Sequence, residues 1–289
     1  MGTETTIAWT QHTFNPWIGC TKVSAGCANC YAKTMDDRHL QGAESHWGPG
    51  APRIVTSPGN WKLPTGWANR ARAEGKRRRV FCASLADVFD LEAPRLALHD
   101  LLNLIEDTSD CLDWQILTKR PERILVVLSS LARPMDFFLK TQAWLGTSTE
   151  NQDAADARIP ELLAVPAAVH FVSAEPLLGP LDLGRWLWGD VIFCEKMSGP
   201  GSRTAALKVA RAANTQYIGP LLDWVICGGE SGPRARAMLP IWAIALKNQC
   251  SLVDVPFFMK QGSAANWNSY NDFQSFPTDL QVRKFPNGR

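Results

Sequence analysis

Apolar and polar positions change rhythm along this chain. Up to about residue 79 little periodicity is visible. Beyond it, short apolar runs alternate with stretches whose apolar residues recur at helical spacing. The runs Arg79–Ala83, Asp113–Leu117, Ala143–Thr147, His170–Ser173, Trp224–Cys227 and Pro256–Met259 predict strands. Pro94–Glu106 predicts a helix, because Leu96, Leu101, Leu102 and Ile105 fall on one side of it. Further helices are expected near Pro121–Leu131, where the proline suits a first turn, and near Ala154–Leu163, Ala205–Ala213 and Ile241–Val253. Adding a first strand before Cys20 makes about seven. Strands alternating with helices imply βαβ units and a mainly parallel sheet. The expected fold class is therefore α/β, a full or partial (β/α) barrel of six to seven parallel strands with irregular insertions. Residues 1–262 are expected to form this domain, with an irregular excursion at 34–79 holding one short helix. An insertion is expected at 184–220 and an irregular cap at 263–289.

Composition narrows the class only a little. The chain has 289 residues, 45% hydrophobic and 20% charged, as in an ordinary globular protein. No run of 18 or more apolar residues occurs, so no transmembrane helix and no membrane partner are expected. The opening MGTETTIAWTQ lacks the build of a signal peptide, which points to the cytoplasm, or to a host cytoplasm if a phage encodes the chain. A formal charge of +2 does not announce a nucleic-acid binder. Locally, however, Arg70, Arg72, Lys76, Arg77, Arg78 and Arg79 crowd together with only Glu74 opposing them. Such a stretch either neutralises phosphates, with Trp61 and Trp67 nearby to stack on bases, or is a solvated helix end leading into a strand.

The densest chemistry lies at residues 13–33, TFNPWIGCTKVSAGCANCYAK. Cys20, Cys27 and Cys30 stand in C-x6-C-x2-C spacing within a Gly/Ser/Asn-rich loop. Thiolates select soft metals, zinc or iron–sulfur clusters. A closed zinc site wants four ligands, and no fourth Cys or His follows at finger-like spacing. A [4Fe–4S] cluster on three cysteines would leave one iron open to an outside ligand. The other five cysteines (Cys82, Cys111, Cys194, Cys227 and Cys250) are scattered, mostly in apolar runs, and read as core.

These residues carry a resemblance. The cysteine loop resembles that of radical S-adenosylmethionine (SAM) enzymes. The whole chain is similar to a radical-SAM-like three-cysteine family of phages and mobile elements. That family opens with W-T-x-x-T-x-N-P-x-x-G-C, matched here by Trp9, Thr10, Thr13, Asn15, Pro16, Gly19 and Cys20. Further shared blocks are FCASLADVFD, LTKRPER, LGTSTENQ, SAEPLLGPLDL, WVICGGESGPRARAM and PFFMKQ. Two features depart from the commonest radical SAM pattern: a first gap of six residues, and Asn29 where an aromatic usually precedes the third Cys. Tyr31 offers a ring beside it. The resemblance implies a [4Fe–4S] cluster on Cys20, Cys27 and Cys30, with SAM as cofactor. It also implies a reductase or flavodoxin-type electron donor.

Active sites of parallel barrels gather at the C-terminal ends of strands, and polar motifs follow nearly every predicted strand here. For SAM, Ser84 and Asp87 are candidates for the amino group, and Lys119 or Arg120 for the carboxylate. Ser148, Glu150 and Asn151 are candidates for the ribose, while Gly228 and Gly229 would allow close approach of the cofactor. Glu175, Glu230 and Lys260 are the catalytic candidates, with Arg234 and Arg236 also on the substrate side. The expected function is reductive cleavage of SAM to start a radical rearrangement or bond cleavage on a nucleotide or a modified DNA base, thymine hypermodification being one such reaction. Two alternatives are a radical SAM enzyme acting on a peptide or small metabolite, and a non-catalytic zinc-stabilised nucleic-acid-binding protein. A barrel hydrolase has little support, since the five His are dispersed. Oligomeric state is not legible.

Overall fold

A computed structural model describes residues 5–40, 44–187, 221–232, 234–267 and 269–286. The expected helix at 205–213, Cys194 and nearly all of the expected 184–220 insertion lie outside the described residues.

The chain is α/β and builds a seven-stranded sheet in the order β1 (His12–Phe14), β4 (Arg78–Cys82), β5 (Leu112–Thr118), β6 (Trp144–Ser148), β7 (Val169–Ala174), β8 (Trp224–Gly228) and β9 (Phe257–Gln261). The pairs β1–β4, β4–β5, β5–β6, β7–β8 and β8–β9 are parallel. The order follows the chain, interrupted only by the small antiparallel pair β2 (Trp17–Ile18) with β3 (Ile54–Val55). This is the partial (β/α) barrel expected, and each predicted strand lies within a residue or two of its observed bounds. The central strands are buried almost throughout, because parallel strands are covered on both faces. That is why they read as apolar runs rather than as alternation. No described helix is long and apolar enough to cross a membrane.

Two compact units divide the chain: Met1–Ser148 with Ala157–Val169, and Thr149–Asp156 with His170–Arg289. In the first, helix α4 (Arg95–Asp107) buries Ala97, Leu98, Leu101, Leu102 and Ile105. Of the stripe its spacing predicts, Leu101, Leu102 and Ile105 face the core, whereas Leu96 is exposed in the first turn. The buried residues of α4 join Phe14, Trp114, Ile116 and Leu128 in one core. In the second, Trp224 packs with Phe171, Phe258 and Phe285. Among the described residues after Gly262 are the short 3₁₀ turns Phe273–Ser275 and Thr278–Leu280 and a bridge from Arg283 to Phe258. Of the scattered cysteines, Cys82, Cys111, Cys227 and Cys250 are free and buried, as expected of core residues.

The stretch 34–79 is more regular than the sequence suggested. Helix α1 spans Tyr31–Leu40, α2 is a single turn at Pro58–Trp61, and α3 runs over Leu63–Glu74. Helix α3 has a weak apolar stripe, which hid it from periodicity. Its ends were nevertheless marked, by Pro64 in the first turn and by Gly75 in the left-handed conformation (φ 62°) closing the last.

The same region corrects the reading of the basic stretch. Trp67 is buried and stacks on His12 at 4.4 Å, and Trp61 packs edge-on against Phe14 at 5.2 Å. Both rings hold α2 and α3 against the sheet, so neither is a platform for bases. Arg72 pairs with Asp110, Arg77 with Asp113 and Arg78 with Glu74. Much of the charge is thus already answered within the unit.

Two outcomes follow. Trp67→Ala should cost about 3–5 kcal/mol in denaturant unfolding, the range for emptying a buried aromatic site; a loss below about 1 kcal/mol would mean the ring is not core. Hydrogen bonds from Arg72 hold the Asp110 carboxyl down at about 2. A depressed carboxylate stabilises the fold above its unfolded value of about 3.9 and loses that effect as pH falls through the folded value. An NMR titration should therefore find Asp110 near 2, returning towards about 4 in Arg72→Ala.

Candidate functional site

The cysteine loop leaves β1 and β2 through Gly19, whose φ of +112° disfavours any side chain. A Cβ there would strike the carbonyl of His46 and approach Arg53 Cδ at 2.9 Å. Gly19 N donates to Leu85 O at 3.1 Å, and Gly19 bridges to Ala86. Cys20 therefore sits beside the turn that follows β4. Cys27 closes a 3₁₀ turn at Ala25–Cys27. Cys30 precedes α1, accepting from Thr34 N and Thr34 Oγ1, each at 3.1 Å. Tyr31, next in sequence, donates its hydroxyl to Ser84 O at 2.6 Å. Both ends of the loop are thus pinned to the same turn, residues 84–86. All three cysteines are free and half-buried.

Among the described residues, no three His, Cys, Asp or Glu side chains converge closely enough to hold one metal ion. Three thiols in one loop are the soft donor type that iron–sulfur clusters take. The donor set fits a cluster.

Behind Cys20 lies a chain of buried charges. Arg120, 3% exposed, donates from Nη1 to Cys20 Sγ at 3.7 Å and to Asp87 Oδ2 at 3.4 Å. Its Nη2 donates to Thr21 O at 2.6 Å and lies 3.1 Å from Asp90 Oδ1, an ion-pair contact off the hydrogen-bond direction. Asp90 also pairs with Arg53 at 2.6 Å. Arg53 reaches Glu92 at 2.5 Å, Thr21 Oγ1 at 2.7 Å and the carbonyls of His46, Gly48 and Ala51. Burial, then the charges of Asp87 and Asp90, push the Cys20 thiol up to about 12, with Arg120 opposing them. A metal would deprotonate such a thiol outright.

The remaining expected residues of this unit find definite places. Asp87 accepts from Phe89 N, Thr118 Oγ1 and Lys119 N besides Arg120. It is an internal acceptor that orients the β5 end. Ser84 exchanges hydrogen bonds with the Asn15 side chain, which also caps Leu85 N at 2.8 Å. Arg120 is engaged on both terminal nitrogens, which leaves Lys119 as the cation with hydrogens to spare; its Nζ donates to Ser148 Oγ at 3.1 Å. Asp36, which the sequence reading overlooked, accepts from Trp47 Nε1 at 2.8 Å and faces His46 Nδ1 at 3.0 Å.

The second unit carries the other candidates. Glu150 is buried, and Asn151 caps helix α7 (Gln152–Leu163) by accepting from Ala154 N at 2.9 Å. Glu175 lies 2.9 Å from Lys260 Nζ and accepts from Ser173 Oγ at 3.0 Å. Gly228 makes room for this pair, since a Cβ there would meet Glu175 Oε1 at 2.5 Å; one on Gly229 would meet the Ser263 backbone at 2.7 Å. A Cβ at either glycine would thus meet the protein itself. Glu230 is buried and paired with Arg236, through Arg236 N at 2.7 Å and the guanidinium.

Arg53, Asp90 and Glu92 were not singled out by sequence reasoning. Asp90 stands in the quoted FCASLADVFD block, but nothing local announces Arg53 as its partner. Because removing one member of a buried ion pair strands the other charge, Arg53→Met should cost about 3–5 kcal/mol of stability in urea unfolding. A loss under about 1 kcal/mol would show that the network does not support the loop.

Comparison with known proteins adds the following. No curated protein matches the chain significantly. A solved spore photoproduct lyase mutant with bound AdoMet and dinucleoside spore photoproduct superposes with a TM-score of 0.41 at 12% identity. It covers 76% of this chain and 56% of that one, so this chain spans little more than half of that protein's length. The family model described as "Protein of unknown function (DUF5131)" matches residues 4–285, and the chain belongs to that family.

Proposed function

We propose that this protein is a radical SAM enzyme whose Cys20, Cys27 and Cys30 hold a [4Fe–4S] cluster. The observation that carries the reading is the half-buried loop of three free thiols, pinned at both ends to the turn after β4 and backed by Arg120. When bound, the cluster would supply one electron to the sulfonium of SAM. The protein's own groups would do the rest. Lys119 would pair with the SAM carboxylate through a charge-assisted bond while Ser148 holds its ammonium in place. Glu175 and Lys260, sharing an ion pair at 2.9 Å, would bind the polar part of the substrate and pass a proton between them and it.

The substrate class proposed is a nucleotide or a modified DNA base. It follows from the resemblance to the phage-type family; the basic stretch adds little, since Arg72, Arg77 and Arg78 pair within the unit and Trp61 and Trp67 pack against the sheet. The electron donor would be a reductase or a flavodoxin-type protein.

Anaerobic reconstitution tests this reading. About four irons and matching sulfide per chain are expected, with SAM and dithionite giving 5′-deoxyadenosine. Cys27→Ala should lose both cluster and product. Zinc without sulfide would overturn the reading and favour a metal-stabilised binding protein.

A further inference from the structure

We infer that Arg120 is a positioning residue for the Cys20 sulfur, and that its N–H···S bond makes the cluster easier to reduce. This rests on the cluster reading above and deepens it. The guanidinium straddles the Cys20–Thr21 step: one arm lies 3.7 Å from the sulfur and the other donates to Thr21 O at 2.6 Å. Its far side is held by Asp87 and Asp90, and Asp90 is itself held by Arg53. Backbone geometry agrees, since Arg120 N donates to Thr118 Oγ1 at 2.9 Å. With both terminal nitrogens engaged and the side chain buried, the fork cannot swing to an incoming ligand. Its charge is already balanced by Asp87 and Asp90, so its effect on the sulfur is local and acts through the hydrogen bond rather than through a general positive field.

The direction follows from charge. A thiolate gives electron density to its iron, and a donor on that sulfur draws some of it back. Taking one electron, here from dithionite, adds negative charge to the cluster, strengthens the N–H···S bond and so stabilises the reduced form. Hydrogen bonds to cluster sulfurs are among the levers that set such potentials. Lysine retains the charge but cannot span sulfur and carbonyl together, which makes Arg120→Lys the informative partner to Arg120→Gln.

The test is an EPR-monitored redox titration of the reconstituted full-length protein. Both variants should accept the electron with an equilibrium constant about tenfold lower, a fall of about 59 mV for one electron. A purely structural clamp would lower thermal stability and leave the midpoint where it was, so an unchanged midpoint at full iron content overturns the inference. If the variants fail to fold, wild-type protein labelled with guanidino-¹⁵N arginine decides. Pulsed EPR of its reduced cluster should show a ¹⁵N coupling, and the absence of one overturns the assignment. Iron and sulfide are measured first: no cluster in wild type overturns both readings, whereas a cluster without arginine coupling overturns this one alone.

Discussion

A buried guanidinium is tolerated only when its charge and its hydrogen-bond donors are all answered, and the first unit is arranged around two of them. Arg53 and Arg120 alternate with Asp87 and Asp90 in a chain of ion pairs almost wholly removed from water. Their surplus donors go to backbone carbonyls at residues 21, 46, 48 and 51. Irregular backbone cannot satisfy its own carbonyls as a helix or strand does. The arginines therefore do for this loop what a hydrogen-bond ladder does for the sheet, and a Cys-bearing segment without regular structure acquires a defined course.

That arrangement links the fold to the chemistry. A parallel sheet delivers its strand ends to one side, but strand ends are ragged and need partners. At β5, Thr118, Lys119 and Arg120 turn three ways: onto Asp87, towards Ser148 and back to Cys20. In the second unit the β8 end solves the same problem with glycine. The lack of a Cβ at Gly228 lets Glu175 lie across the strand end and meet Lys260. Several polar residues that look like ligand-binding groups are occupied by one another.

Much of this was legible beforehand. The apolar runs that became β4 to β9 are short and continuous because both faces of a parallel strand are covered. Helix α4 announced itself through Leu101, Leu102 and Ile105 on one side. The one short helix expected in 34–79 could not be placed as α3, because Leu63–Glu74 puts few large apolar residues at helical spacing. The flanking Pro64 and Gly75 marked its limits, but they are weaker signals than a stripe. Trp61 and Trp67 were open to two readings, since a tryptophan near arginines has the same composition whether it faces solvent or core.

The sequence by itself determined the class of fold, about seven strands of a mainly parallel sheet, and the clustering of Cys20, Cys27 and Cys30 in one loop. These depend on local periodicity and on spacings of a few residues, which the chain carries on its face. Only the tertiary structure decided which polar residues answer one another. Arg53 meets Asp90 across 37 positions and Arg120 meets Cys20 across 100. No local pattern encodes such a pairing, because it arises where burial removes water and leaves each charge to find its complement among whatever the fold has brought near.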